Sequence, residues 1–163
     1  MRAKKRRREG KTDYKARMEM LKARKPRIIF RKTSRYIIGQ YVKSEDAKDK
    51  VMINLTSKEL LKYGWPESSR GSLKSLPACY LAGFLLGKKI LEEKPEEAIL
   101  DIGLLKSIKG SRIYAFLKGV VDAGVKIKVK EKMFPDESRL RGRHIRNNIA
   151  EIFNKVKEKI ERS

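Results

Sequence analysis

The pattern of hydrophobic and polar positions changes to a period of two at residue 27, where Arg27, Ile29 and Arg31 are predicted to point one way and Ile28 and Phe30 the other. Such alternation is typical of strands with one buried face. Three runs rich in β-branched and aromatic residues predict strands at 27–31, 36–43 and 51–56. Because only the short segment 33–35 and the charged segment 44–50 separate these runs, we expect an antiparallel meander.

The remainder of the chain predicts three helices and two further strands. The longest apolar segment is apolar nearly all round, which is typical of a buried helix. The predicted elements are a helix at 76–93 capped by Ser75, a strand at 98–102, a helix at 111–122 ended by Gly124, a strand at 125–129 and a last helix with an apolar face between Ile149 and Ile160.

The resulting order, β-β-β-α-β-α-β-α, predicts an α/β fold with one mixed sheet and helices packed on it. It is also the order of a ribonuclease-H-like fold. Gly83 and Gly87 lie four residues apart on the long apolar helix. We expect them to allow a neighbouring element to approach closely.

A short basic segment precedes the sheet. Thr12 is the predicted cap of an amphipathic helix, and Pro26 ends that segment. We therefore divide the chain into a basic N-terminal arm with its helix at 1–25 and a single α/β domain at 26–163.

The charge distribution changes this picture. The 163 residues carry a net charge of +22, and the first 35 alone carry +13. The run of Lys and Arg at 2–8 has almost no apolar content, so we expect it to be disordered until a polyanion neutralises it. We expect that polyanion to be nucleic acid rather than a membrane surface, because the chain shows no lipidation signal. A single cysteine, Cys79, predicts a reducing, cytoplasmic setting.

Catalytic chemistry has few candidates in this chain. A ribonuclease-H-like nuclease holds two metal ions with several carboxylates, but the first predicted strand offers arginines and no acid. Asp101 stands on the fourth strand without an obvious acidic companion, so we interpret it as a structural residue. His144 lies in an arginine-rich run, and Cys79 lies on the apolar helix. The sequence therefore predicts no enzyme activity, no metal and no cofactor.

A nucleic-acid interface is better supported. The segment 31–40 combines guanidinium groups, hydroxyls, a tyrosine and an amide. Arginine binds phosphate with two hydrogen bonds, hydroxyls reach phosphate or ribose, and tyrosine stacks on unpaired bases. If helices cover one face of the sheet, the other face is free to carry Arg27, Arg31 and Gln40.

Three stretches of the chain resemble a known family. They are Gly10-Lys-Thr-Asp-Tyr-Lys-Ala-Arg17, Phe30-Arg-Lys-Thr-Ser-Arg-Tyr-Ile-Ile-Gly-Gln40, and Ala98-Ile-Leu-Asp-Ile-Gly103 together with the segment 110–124. The chain resembles archaeal large-subunit ribosomal protein eighteen, the universal 5S-rRNA-binding protein, whose eukaryotic counterpart is large-subunit protein five.

The resemblance implies a ribonuclease-H-like fold without nuclease activity. It also implies that the protein binds 5S rRNA and helps attach it to large-subunit rRNA in the central protuberance, beside neighbouring large-subunit proteins. By position, the implied RNA contacts are Arg6, Arg7, Arg8, Lys11, Thr12, Tyr14, Arg17, Arg27, Arg31, Thr33, Ser34, Arg35, Tyr36 and Gln40, with Arg70, Lys74 and Arg112 as further candidates.

Two other interpretations stay open at this point. One is a divergent metal-dependent nuclease that uses Asp101, and the other is a nucleic-acid chaperone with no preferred RNA. The chain also departs from the family at Ser75-Leu76-Pro77, where relatives usually have Asn or Thr. This departure weakens the case for RNA contacts from the start of that helix.

Overall fold

Six helices and four strands form in the part of the chain described by the computed structural model, residues 5–45, 48–67, 73–93, 95–145 and 149–162. The helices are α1 (Lys5–Arg8), α2 (Tyr14–Lys22), α3 (Leu76–Glu92), α4 (Arg112–Asp122), α5 (Glu137–Leu140) and α6 (Ile149–Arg162). The strands are β1 (Arg27–Lys32), β2 (Ile37–Glu45), β3 (Lys48–Thr56) and β4 (Ile99–Asp101).

The strands form one mixed sheet in the order β3-β2-β1-β4. β1 and β2 pair antiparallel, as do β2 and β3, which confirms the predicted meander. β4 pairs parallel to β1, with Ile29 opposite Asp101. The α/β class and the mixed sheet are therefore as predicted.

Two predicted boundaries differ from the structure. The segment 44–50 was expected to be a loop, but β2 continues to Glu45 and β3 begins at Lys48. The predicted strand at 125–129 is reduced to a single parallel bridge between Ala98 and Ile127. Because β4 has only three residues, it offers little backbone for a longer ladder.

The core lies between one face of the sheet and the helices α3 and α4. Phe30 of β1 packs against Phe116 of α4, with ring centroids 5.3 Å apart. The predicted close approach occurs at Gly83, where an added Cβ would lie 1.9 Å from the carbonyl oxygen of Phe116. The glycines therefore allow the backbones of α3 and α4 to touch. The apolar face of α6 covers the outer side of this layer with Phe153 and Val156.

Helix α3 begins as predicted, because the Ser75 hydroxyl accepts a hydrogen bond from the backbone N–H of Ala78. It is the longest described helix and is buried over most of its length. Within the described ranges, no helix is both long and apolar enough to cross a membrane.

Candidate nucleic-acid interface

The basic arm forms two helices that lead to the sheet. Residues 5–8, expected to lack structure without a polyanion, form α1, which is consistent with the good helix propensity of Lys and Arg. Arg6, Arg7 and Arg8 are all exposed there. The Nε–H of Arg6 donates to the hydroxyl of Thr12 at 3.0 Å, which links α1 to the start of α2.

The cap of α2 is not the predicted one. Asp13, rather than Thr12, accepts hydrogen bonds from the backbone N–H groups of Lys15 and Ala16. Asp13 can accept both bonds because its backbone is extended just before the helix, and its negative charge favours the helix N-terminus. This leaves the Thr12 hydroxyl to accept from Arg6.

Arg17 ties α2 to the sheet. Its Nη2 lies 2.9 Å from Oδ2 of Asp49, a residue of β3. Tyr14 lies half-buried at the first position of the same helix. Lys11, just before α2, is exposed and pairs with Glu9 at 2.8 Å. The described part of the arm, residues 5–25, therefore contacts the sheet through Arg17 and places its cations near it.

Arg27 and Arg31 lie on the same face of β1, because side chains two or four residues apart on a strand share a face. Both reach Asp101 on the neighbouring strand β4. Nη1 of Arg27 lies 3.2 Å from Oδ2 of Asp101, and Nη2 of Arg31 lies 2.8 Å from Oδ1. Asp101 also accepts the backbone N–H of Gly103 at 2.9 Å. The interpretation of Asp101 as a hydrogen-bonded structural residue agrees with these contacts.

Arg27 requires a correction as a predicted RNA contact. It is 1% exposed, so its guanidinium cannot reach a ligand outside the protein. Besides Asp101, it donates to the Ser44 hydroxyl at 3.0 Å and to Asp49 at 2.6 Å. Alternation correctly placed Arg27 on the face opposite the core, but Ser44 of β2, Asp49 of β3 and Asp101 of β4 hold its guanidinium there. Through these acids it joins β1 to β3 and β4.

Asp49 is the acid that joins the arm to this network. Burial opposes its ionisation, but hydrogen bonds from Ser44 and Arg27 and the charges of Arg27 and Arg17 outweigh that effect. The pKa of the Asp49 carboxyl is therefore below its ordinary value. An ionised Asp49 holds Arg17 and Arg27 at once.

Arg31 differs from Arg27 because 41% of its side-chain surface is accessible. Its Nη1 donates to the backbone carbonyls of Phe30 and Asp101, each at 2.9 Å, while Nη2 donates to the Asp101 carboxylate. Within the described residues these bonds use three of the five guanidinium N–H groups. The other two are available to an anion.

The arm and the sheet enclose a cleft of about 400 Å³ at the carboxyl ends of β1 and β4, which we call the arm–sheet cleft. Its cationic lining consists of Arg6, Lys11, Arg17, Arg31 and Lys32. Only two carboxylates, those of Asp13 and Asp101, are among its other lining residues. The cleft is therefore positively charged, which suits a phosphate group.

The turn between β1 and β2 contains four of the predicted contacts. The Thr33 hydroxyl donates to the carbonyl of Tyr36 at 2.7 Å and accepts the backbone N–H of Tyr36 at 3.0 Å, so it shapes the turn. Lys74 donates to the backbone carbonyl of Ser34. Ser34 and Arg35 are exposed, and the ammonium of Lys58 lies 4.4 Å from the centre of the Tyr36 ring. The turn is a second basic surface, next in sequence to the cleft residue Lys32.

Two other predicted contacts, Gln40 and Arg112, are not among the residues that line the cleft. Gln40 stands on the sheet face opposite the core and donates to Asn54 at 3.1 Å. Arg112 is exposed at the first position of α4. Arg70 lies outside the described residues.

The alternatives to nucleic-acid binding are weakened by the same geometry. The carboxylates of Asp49 and Asp101 share the Arg27 guanidinium, which neutralises them where a nuclease would need a cation. Among the described residues, no group of three or more His, Cys, Asp or Glu side chains is arranged to hold a metal ion. Cys79 is completely buried, and burial raises the pKa of its thiol to about 12, so it is not a nucleophile.

Several residues of this surface were missed by sequence reasoning. Asp49 and Ser44 were assigned to a loop, although their charge and polarity next to an arginine-rich strand could have indicated partners for Arg27. Gly103 was noted only as part of a motif, and Lys32 and Leu104 were not singled out. No periodic signal marks these three, because the cleft they line is formed only when β1, β4 and the arm meet.

Comparison with known proteins identifies the family of the chain. The family described as "Ribosomal large subunit proteins 60S L5, and 50S L18" matches residues 1–97 and 91–130. Proteins named large ribosomal subunit protein uL18 are similar to the chain. The one from Korarchaeum cryptofilum is 51% identical over 140 residues, which cover 86% of this chain and 70% of that protein.

Two further uL18 proteins give the same result. The one from Methanothermobacter thermautotrophicus is 46% identical over 140 residues, covering 86% of this chain and 71% of that protein. The one from Methanothrix thermoacetophila is 43% identical over 159 residues, covering 95% of this chain and 92% of that protein. The chain belongs to the large-subunit ribosomal protein family that comprises L18 and its counterpart L5.

Proposed function

We propose that this ribosomal protein binds 5S rRNA and helps attach it to large-subunit rRNA in the central protuberance. Membership of the family makes it a structural protein of the large ribosomal subunit and not an enzyme, and implies rRNA as a partner and the cytoplasm as its location. The finer assignment to 5S rRNA rests on the resemblance of the segments 10–17 and 30–40 to the 5S-rRNA-binding family.

The observation that carries the proposal is the arm–sheet cleft. Three arginines from three different segments line it, and each is held by a partner: Arg6 by Thr12, Arg17 by Asp49 and Arg31 by Asp101. Side chains held in this way lose less conformational entropy when they bind. Such a surface supports recognition of one RNA shape rather than a general attraction to polyanions.

The proposed contacts divide into three groups. The arm and cleft supply the cations at Arg6, Arg7, Arg8, Lys11, Arg17 and Arg31. The turn supplies Ser34, Arg35 and Tyr36. Lys74, which donates to the backbone carbonyl of Ser34, is proposed together with them. Thr12, Tyr14, Thr33, Gln40, Arg70 and Arg112 are proposed as further contacts.

Competition between RNAs tests the proposal. Labelled 5S rRNA bound to the full chain is displaced by unlabelled 5S rRNA or by bulk tRNA. We expect tRNA to compete at least tenfold less well. Equal competition would instead describe a chaperone with no preferred RNA and would overturn the assignment.

Salt dependence provides a second measurement. If about six phosphates are neutralised, affinity falls on the order of a thousandfold between 50 and 200 mM salt. Tyr36→Ala is expected to weaken binding by roughly 1–3 kcal/mol through lost base stacking, while Tyr36→Phe keeps the ring and serves as the matched control. A flat salt response would contradict binding through the arm.

A further inference from the structure

The arm–sheet cleft is larger and more apolar than a phosphate group alone requires. Its volume of about 400 Å³ lies in the range of small-molecule pockets, which begins at about 300 Å³. Its lining also includes four apolar side chains, which we call the apolar wall: Met20, Ile102, Leu104 and Leu105. The lining of the cleft therefore combines cationic with apolar side chains.

We propose that this cleft takes a single unpaired nucleotide of the bound RNA, with its phosphate on the arginines and its base against the apolar wall. The inference rests on the proposed function, because the nucleotide belongs to that RNA. Proteins recognise RNA sequence mainly at unpaired nucleotides, whose bases leave the stack and pack on protein side chains.

Arg31 is held in a fixed orientation for this purpose. A Cβ added at Gly103 would lie 3.1 Å from Cζ of Arg31 and 3.3 Å from each Nη, so Gly103 stands over one face of the guanidinium plane. Gly103 has a φ of +61°, a backbone conformation that residues with a side chain rarely adopt. Asp101 holds the N–H edge of the Arg31 guanidinium by hydrogen bonds, and Gly103 lies against one face of its plane. The two residues together fix the orientation of Arg31.

Leu104 is the residue that distinguishes a nucleotide site from a phosphate site. Leu104 is 57% exposed, although it belongs to the apolar wall of the cleft. Ile108, in the same loop, is 58% exposed and is not part of the cleft lining. If a base packs in the cleft, it covers Leu104 and leaves Ile108 in solvent.

The test compares Leu104→Ser with Ile108→Ser in the full chain, by titration with 5S rRNA at several salt concentrations. We expect Leu104→Ser to weaken binding about five- to tenfold through lost apolar contact, with the salt slope unchanged. Ile108→Ser is expected to leave affinity within twofold of wild type. Thermal melting of both variants checks that the fold is intact.

Arg31 provides the matching test of the phosphate half. Arg31→Lys keeps the charge but loses the planar guanidinium, whose N–H groups have a fixed geometry. We therefore expect at least fivefold weaker binding with a nearly unchanged salt slope. Arg31→Ala should also lower the salt slope by about one. Arg162→Ala, at the end of α6, is the control that should change neither.

Cross-linking gives a readout that does not depend on affinity. With 4-thiouridine incorporated throughout the 5S rRNA, irradiation should attach a nucleotide to residues 102–105 in wild type, and Leu104→Ser should reduce that product. Equal behaviour of Leu104→Ser and Ile108→Ser would overturn the nucleotide site. Preference for 5S rRNA over tRNA in wild type would still stand in that case, which separates failure of this inference from failure of the proposed function.

Discussion

The guanidinium of Arg27 lies 3.2 Å from the carboxylate of Asp101, and the two side chains are only 2% and 6% exposed. A buried ion pair of this kind is costly to form but more costly to break, because removing one partner leaves the other charge buried without compensation. The pair joins β1 to β4, and Asp101 also lines the arm–sheet cleft. It also explains why the strand acid of a nuclease-like topology serves a structural purpose here.

The first prediction concerns this pair. Asp101→Asn should lower the free energy of unfolding by about 3 kcal/mol, because Arg27 then keeps only Asp49 as its charged partner. Urea denaturation measures the change. Asp136→Asn, at an exposed cap without a side-chain hydrogen bond, is the control and should stay within about 0.5 kcal/mol of wild type. If the Asp101→Asn variant is as stable as wild type, the network around Asp101 does not stabilise the fold.

A second prediction follows from the pKa of Asp49. Because this pKa is lower in the folded than in the unfolded chain, the stabilisation is present at neutral pH. It should shrink as the pH falls below about 4, the ordinary value for Asp, towards the folded-state pKa. Denaturation at pH 7, 5, 4 and 3 should therefore show a steeper loss in wild type than in Asp49→Asn. Glu158→Gln, on the exposed side of α6, should follow wild type.

The third prediction concerns the arm. We propose that residues 1–25 and 26–163 are separable, so deletion of 1–11 should leave cooperative melting of the domain intact. The contact of Arg17 with Asp49 remains in that variant. RNA affinity at 100 mM salt should fall at least tenfold with a smaller salt slope, because seven cations are lost. Loss of cooperative melting would show that the arm belongs to the folding unit.

Contact between α3 and α4 provides the fourth prediction. Gly83→Ala would place a methyl group 1.9 Å from the backbone carbonyl of Phe116, which cannot move without shifting α4. We expect a loss of about 3 kcal/mol or more in the free energy of unfolding. Lys88→Ala, at a partly exposed position of the same helix, should cost less than about 0.5 kcal/mol.

Cys79 supports a fifth prediction. Burial raises the pKa of its thiol to about 12, so almost no thiolate exists at pH 8. Iodoacetamide should not modify the folded protein at that pH, and mass spectrometry should detect one modification after denaturation. Modification of the native protein at the rate of a free thiol would show that α3 is not buried as described.

Sequence alone determined the elements and the kind of partner. The period-two pattern at 27–56 placed three strands, and the nearly all-apolar segment 76–92 placed the buried helix, because burial constrains residue type over a whole element. The charge of +13 in the first 35 residues indicated a polyanion without any structural information. The strand predicted at 125–129 was only a bridge, because a local pattern does not report how much partner backbone is available.

Only the tertiary structure decided which of the two arginines, Arg27 and Arg31, stays accessible to solvent. Arg27 and Arg31 share a strand face and a residue type, so no sequence pattern separates them. Asp49 and Asp101 are brought to Arg27 from β3 and β4, and they bury it, while Arg31 stays at the open end of the strand. The difference is a matter of long-range packing: a charge is a binding group or a structural group according to which opposite charges the fold places beside it.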